Sequence, residues 1–437
     1  MSAPQELTPS SPAVLDYIEG YTEYLDASPT SYHAVDQAAQ MLDAADFVEV
    51  DLAEPWPTTE GKFFVARDGA IVAWVQFPDA VGFALAAGHT DSPALKLKPL
   101  AQRTTPDGWG QLMVEVYGGA LHNSWLDREL LLAGAVADWG GTRRLIRTGP
   151  IAFIPQLAPH MDREVNTRGL ILDPQEHLQP LWLVDDDRQI MDLVAAEAGL
   201  AGPEEIAASQ LFLIPSQPAQ TFGVDNQFLM SGNQDNLSSA YAGLSALTSL
   251  AEEVGESRWP SDRIPVLGLF DHEEIGSGSP TGARGPLLEE VMERINVAFG
   301  GGEERRWQLQ AGSTLLSVDA AHSVNPAYPD QHGPMMRPVM GRGPTLKLDA
   351  GQRYSTSLEG IQAWRRAVRD SGIPSQEFVS HSSKRAGSTV GPALATRLGI
   401  DTVDVGIPLL AMHSTRETAH VLDPVYLSLA MAAYWTA

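Results

Sequence analysis

Apolar residues recur at helical spacing through "SPAVLDYIEGYTEYLDA" and "SYHAVDQAAQMLDAA". This predicts two helices within residues 11–45, with Ser31 as the N-cap of the second. "KFFVARDGAIVAWVQF" reads as a hairpin turning at Asp68-Gly69, and "VGFALAAG" as a buried strand that ends at "HTDSP". From Leu95 to Gly223 the texture changes. Short strand-like pieces ("QLMVEVYGG", "RRLIRTG", "LFLIP") alternate with loops rich in Pro, Gly and Asp, which predicts a separate, mostly β insertion. Helices and strands then alternate. "NQDNLSSAYAGLSALTSLAEEV", "PLLEEVMERINVAF", "SLEGIQAWRRAVRDSG", "GPALATRLG" and "DPVYLSLAMAAYWTA" are helical; "IPVLGLF", "STLLSVDAA" and "DTVDVGIP" are strands. Such alternation predicts an α/β fold, a sheet with helices on both faces.

Composition narrows the function classes. At 437 residues the chain exceeds one ordinary core, so two domains are expected. Asp and Glu number 55 against 29 Lys and Arg, a net charge of −26. Without a basic patch to neutralise phosphates, a nucleic-acid partner is not expected. The longest apolar runs are too short to span a bilayer, so no membrane partner is expected. The start, "MSAPQELTPSSPAV", has neither a basic n-region nor an apolar h-region, so no signal peptide is expected. Cysteine is absent, which excludes thiolate metal sites, disulfides and a Cys nucleophile. A cytoplasmic location is expected, although an exported protein also suits a cysteine-free chain.

The candidate chemistry collects at predicted strand ends. "FDHEEIGSGS" follows an apolar strand and sets Glu273 and Glu274 side by side before a glycine-rich turn. Ligands in open α/β sheets bind at the carboxyl ends of strands. Two adjacent glutamates there can divide labour, one binding a metal and the other moving protons. "HTD" (His89, Asp91), "QDN" (Asp235), "SVDAAH" (Asp319, His322) and "MHSTRE" (His413) occupy comparable positions. Each cluster alone also reads as a solvated turn, a surface pair or a satisfied core histidine. Together, His and carboxylates without Cys suit zinc or manganese with open positions for water and substrate. In "HTD" the one-residue spacing lets Asp91 hold the second ring nitrogen of His89.

Nine blocks carry a family resemblance. "GHTDSPALKLKP", "VYGGALHNSWLDREL", "IPQLAPHMDREVN", "NQDNLSS", "LFDHEEIGSGSPTGA", "SVDAAHSVNPAYP", "GPTLKLDAGQRYST", "AGSTVGPALATRLGI" and "TVDVGIPLLAMHSTRE" occur in this order. Together the chain resembles the aspartyl aminopeptidase family of two-zinc exopeptidases. The resemblance implies two zinc ions per subunit, with manganese or cobalt as substitutes. Asp235 would bridge them, with His89 and Asp319 on one zinc and Glu274 and His413 on the other. Glu273 would be the general base for a zinc-activated water, and Asp91 would orient His89. His322 would donate to the developing oxyanion; ordering the loop before Pro326 is its other reading. Lys347 and Tyr354 would line the pocket for an acidic side chain, Lys347 otherwise lying on a solvated strand edge. The Asp235–Asn236 peptide would be cis.

The implied activity is removal of N-terminal Asp or Glu from peptides. The alternatives are a dizinc enzyme acting on neutral N-terminal residues or as an amidohydrolase, and a catalytically weak, self-assembling peptide-binding shell. The implied fold is a zinc-exopeptidase-like mixed sheet flanked by helices, with residues 1–92 and 229–437 forming the catalytic domain. Residues 93–228 form an inserted β-rich domain that pairs subunits and roofs the site. The implied assembly is a homo-oligomer, a tetrahedral dodecamer built from dimers. The sequence departs from the family at two places. Many members have Trp-His-Thr where this chain has His122-Asn123-Ser124, so Asn123 stands where the family has a histidine that can reach a neighbouring subunit; either His122 substitutes for it or the contact is lost. "SKRAGST" places Lys384 and Arg385 where many members have Asp-x-Pro-Cys.

Overall fold

The structure, a computed structural model, describes residues 7–255 and 257–437. The first six residues of the expected 1–92 segment therefore lie outside the described residues. The two predicted N-terminal helices are Pro12–Ala27 and Ser31–Ala44. Pro12 opens the first at a position where its missing N–H leaves no bond unmade. Thr30, and not the expected Ser31, occupies the N-cap position of the second. The Thr30 hydroxyl bonds the His33 ring at 2.8 Å, so the side chain that closes this turn sits one residue earlier.

A nine-stranded mixed sheet forms the body. Its spatial order is Val48–Glu49, Gly61–Arg67, Ala70–Gln76, Arg263–Phe270, Gly82–His89, Thr314–Val318, Asp401–Gly406, Thr345–Leu348 and Gln376–Val379. The predicted hairpin is present, with Asp68 at φ 52° in its turn. The four central strands, Arg263–Phe270, Gly82–His89, Thr314–Val318 and Asp401–Gly406, run parallel. Arg263–Phe270 and Gly82–His89 are buried almost throughout, as strands covered on both faces must be. Helices Gln234–Val254, Leu422–Trp435 and Leu358–Ser371 pack in series, and Leu287–Ala298, Glu303–Ala311 and Val390–Leu398 also pack on the sheet. One large apolar core joins sheet and helices. No helix among the described residues is long and apolar enough to cross a membrane.

The β insertion closes into a barrel. Its strands follow the order Ile206–Pro215, Ala94–Thr104, Trp109–Tyr117, Leu181–Val184, Arg143–Phe153 and Glu129–Asp138, with every pairing antiparallel. A second apolar core fills it, built around Leu95, Leu112, Leu130, Leu132 and Leu213. Two of its strands are not legible in the apolar pattern. "ELLLAGAVAD" is apolar at successive positions and lacks the alternation that marks a strand. Ala94–Thr104 contains Pro99, and its pairing shifts register between Leu97 and Gln102. The chain enters the barrel directly from His89–Pro93 and returns through Phe228–Ser231 to Asp235. Both connections therefore pass through candidate site residues.

Main chains approach closely where the sheet meets the site. A Cβ on Gly406 would lie 1.7 Å from the Asp319 carbonyl oxygen. Backbone cannot yield as a side chain does, so Gly406→Ala should destabilise by about 1–3 kcal/mol or more. Thermal unfolding would show a midpoint several degrees lower; an unchanged midpoint would contradict this packing.

Candidate metal centre

Six of the expected side chains converge where the parallel strands end. His89 is the last residue of its strand, Asp319 immediately follows Val318, and Glu273 and Glu274 lie in a single turn after Phe270. Asp235 enters from the first turn of helix Gln234–Val254, and the Asp235–Asn236 peptide is cis. His413 comes from the loop after Pro408–Leu409.

Asp235 faces two ways. Its Oδ1 lies 3.4 Å from His89 Nε2, and its Oδ2 lies 3.3 Å from His413 Nε2. Asp319 Oδ1 is 3.5 Å from His89 Nε2, and Glu274 Oε1 is 3.3 Å from His413 Nε2. The result is two ligand-competent triads, His89–Asp235–Asp319 and Asp235–Glu274–His413, that share Asp235. A third grouping, His89–Glu273–Glu274, draws on the same residues. Glu273 Oε2 stands farther from His89, at 3.9 Å, and keeps partial exposure.

The donor set fits zinc. His89 Nδ1 is 2.9 Å from the Asp91 main-chain oxygen, and His413 Nδ1 is 3.0 Å from that of Gly119. A carbonyl only accepts, so both imidazoles carry a proton on Nδ1, which leaves Nε2 as the nitrogen that would give its lone pair to a metal. Asp235 Oδ1 and Glu274 Oε1 are buried with no hydrogen-bond donor among the described residues. Buried acceptors without donors are costly unless a cation satisfies them. Four carboxylates set against two imidazoles leave an excess of negative charge for cations to balance.

The surrounding shell differs in one respect from expectation. The expected partner of the His89 ring was the Asp91 carboxylate; the hydrogen bond goes instead to the Asp91 main-chain carbonyl, with the carboxylate 3.4 Å away. The carboxylate has other partners. Its Oδ1 accepts from the Glu273 N–H at 3.0 Å, and its Oδ2 from the Glu274 N–H at 3.1 Å and the Tyr117 hydroxyl at 2.7 Å. Asp91 thus fixes the main chain that carries both glutamates. Burial works against its ionised form, but His89, Tyr117 and the Glu273 amide hold its pKa below the ordinary value.

Tyr117 and Glu417 were not singled out from sequence. Glu417 is buried and accepts from the main-chain N–H of Asp235 at 3.0 Å and of His413 at 2.7 Å, tying one triad together. Its signal was the spacing in "HSTRE", where a carboxylate four residues after a histidine reaches back to that histidine's N–H.

The remaining expected residues lie around this cluster. Lys347 is buried, and its ammonium donates to the carbonyls of Asp319 (2.9 Å) and Ala320 (3.2 Å), 5.0 Å from the centre of the Tyr354 ring. His322 sits in the short strand Ala321–His322, three residues past Asp319. The ring is exposed, yet the protein packed around it lowers its pKa below the ordinary value; Asp235 opposes that shift, and Lys347 and His332 reinforce it. Beyond His322 opens a cavity of about 340 Å³, lined also by Tyr354, His381, Lys384, Arg385 and Leu409–Met412. His122 lies apart, on the turn His122–Trp125. The loop before it touches the site through Gly119 and through the Leu121 N–H, which donates to the His413 carbonyl at 2.9 Å.

Without metal, protons balance part of the charge. Burial opposes the His413 imidazolium, but the Asp235 and Glu274 carboxylates beside it outweigh that and push its pKa up to about 12. Burial, reinforced by neighbouring carboxylates, pushes Glu274 up to about 7 and Glu273 up to about 8. A metal must displace the protons on its ligands His413 and Glu274, so its apparent affinity should fall as pH falls from 8 to 6, with proton release on binding. Calorimetry in buffers of different ionisation enthalpy would measure the release; pH-independent binding without proton release would contradict it.

Comparison with known proteins places this centre in a family. Residues 24–435 match the family of aminopeptidase I zinc metalloproteases, M18. A probable M18 family aminopeptidase 2 of Streptomyces coelicolor is 43% identical over 436 residues, covering 97% of this chain and 99% of the relative. A namesake from Clostridium acetobutylicum is 34% identical over 96% of this chain and 99% of its own. Among solved structures, the cryo-EM complex of Ape4 and Nbr1 matches with a TM-score of 0.91 at 29% identity, over 97% of this chain and 86% of the matched one. The mApe1 dodecamer of S. cerevisiae matches with a TM-score of 0.84 at 27% identity, over 96% and 97% of the two chains. The chain belongs to the M18 family of zinc aminopeptidases, hydrolases of the peptidase class.

Proposed function

We propose that this aminopeptidase removes acidic residues, Asp and Glu, from the N-termini of peptides, using two zinc ions per subunit, with manganese or cobalt as substitutes. The observation that carries the two-metal reading is the pair of triads sharing Asp235, one oxygen to each imidazole. His89, Asp235 and Asp319 would hold one ion, and Asp235, Glu274 and His413 the other. When bound, such a pair acidifies water and polarises a carbonyl.

The chain's own residues supply the rest. Glu273 is the general base: burial favours its neutral form, so its carboxylate accepts a proton from water readily and returns it to the leaving amine. Its main chain is fixed through Asp91, which keeps the carboxylate in place beside His89. His322 is assigned the donor to the developing oxyanion, from its position between Asp319 and the cavity. The metal-facing carboxylates attract a free α-amine, which limits cleavage to the first peptide bond.

Acid selectivity is supported by the cationic lining of the adjacent cavity, since a chain of net charge −26 repels acidic peptides at long range. Tyr354 forms part of that wall. The engagement of Lys347 with two carbonyls is the observation that favours the neutral-residue alternative, because that ammonium has fewer donors to offer a substrate. We assign the barrel, residues 93–228, a subunit-pairing and roofing role over the catalytic segments 1–92 and 229–437, and the protein a homododecameric state in the cytoplasm. The mApe1 dodecamer supports the assembly; within it we assign His122, or Asn123 beside it, to a contact with a neighbouring subunit.

Glu273→Gln should lower turnover on an Asp-anilide by roughly 10²–10⁴-fold while zinc content is retained. Near-normal turnover would remove Glu273 from the mechanism. Asp-, Glu- and Leu-anilides assayed with and without chelator test the whole reading. Chelator-sensitive cleavage with Asp and Glu preferred over Leu is expected; Leu preferred would establish the neutral alternative, and no cleavage the peptide-binding shell.

A further inference from the structure

The cavity beyond His322 is unusual in a chain this acidic. None of its lining residues is Asp or Glu, whereas the chain as a whole carries 55 acids to 29 bases. Three histidines (His322, His332, His381) and two permanent cations, Lys384 and Arg385, surround one space of about 340 Å³. Its floor belongs to the metal centre, because His322 follows Asp319 and Leu409–Met412 run directly into His413.

The cations near this space divide into committed and free. Lys347 donates to the carbonyls of Asp319 and Ala320. Arg353 Nε donates to the carbonyls of Ala386 (2.5 Å) and Gly387 (3.1 Å), which pins the loop that follows Arg385. The same loop is closed at its other end, where the Lys384 N–H donates to the His381 carbonyl at 2.7 Å and the Ser383 N–H to His381 Nδ1 at 3.2 Å. Lys384 and Arg385 thus sit on an anchored turn, and neither side chain has an acidic partner within salt-bridge distance among the described residues. His332 adds a buried Nδ1 with no partner among the described residues.

We infer that Lys384 and Arg385 read the acidic side chain of the substrate's first residue, and that Lys347 is a positioning residue that holds Asp319 through its carbonyl. The inference rests on the acid-selective reading above and identifies its charge. A carboxylate entering the cavity finds two unpaired cations there, which can give charge-assisted bonds at short range against the unfavourable global field. Arg385 offers the planar fork that matches a carboxylate in two parallel bonds.

Substitution in pairs tests this on the zinc-loaded full-length protein. Lys384→Met with Arg385→Met should lower kcat/KM on Asp- and Glu-anilides about tenfold or more, chiefly through KM, and leave the Leu-anilide within about twofold. Lys384→Glu with Arg385→Glu should move preference toward Lys- and Arg-anilides. Lys347→Met should lower zinc content and reduce turnover on Asp- and Leu-anilides by the same factor. An Asp:Leu ratio below one in the unmodified protein would overturn the acid-selective reading and this inference with it. A ratio above one that the paired Met substitutions leave unchanged would overturn the inference alone. So would a Lys347→Met protein that keeps its zinc and loses only the Asp-anilide.

Discussion

Asp235 is buried, and its two oxygens face different imidazoles, 3.4 Å from His89 and 3.3 Å from His413. Everything around the centre serves that shared carboxylate. Glu417 accepts its N–H, Ser92 donates to its carbonyl at 2.7 Å, and Asn236 next to it bonds the Val318 carbonyl at 2.8 Å. Burial alone would push the Asp235 pKa up, yet the two histidines hold it well below the ordinary value. A carboxylate kept ionised in a dry site is a strong ligand for cations and a poor neighbour for anything else.

The fold delivers this carboxylate and its partners from five distant parts of the sequence. Parallel strands bring His89, Glu274 and Asp319 to one edge, and the helix after the barrel brings Asp235. The barrel adds second contacts. Tyr117 ends one of its strands and bonds Asp91, and the loop beyond it holds His413 through Gly119. Those contacts tie the insertion to the geometry of the metal centre, so its motion relative to the sheet would be felt at both glutamates and at His413.

Much of this was legible in the chain. The helices, the buried central strands and the hairpin at Asp68 follow from period and turn residues. The convergent ligands followed from where His and carboxylates fell at strand ends, sharpened by the family motifs. Barrel strands such as Glu129–Asp138 were hidden because a strand apolar at successive positions loses its period. Glu417 and Tyr117 were hidden because their roles are hydrogen bonds to main-chain groups or to a neighbouring carboxylate, which residue type alone does not announce. The Asp91–His89 contact illustrates the same limit. The pairing was readable, but which oxygen made the bond depended on backbone direction after the strand.

The central claim is that two metal ions share Asp235. Anomalous diffraction at the zinc edge from crystals grown with zinc tests it most directly. The account predicts two peaks per subunit, one among His89, Asp235 and Asp319, the other among Asp235, Glu274 and His413, with Glu273 bound to neither. A single peak, or a peak ligated by Glu273 in place of Asp235, would contradict it.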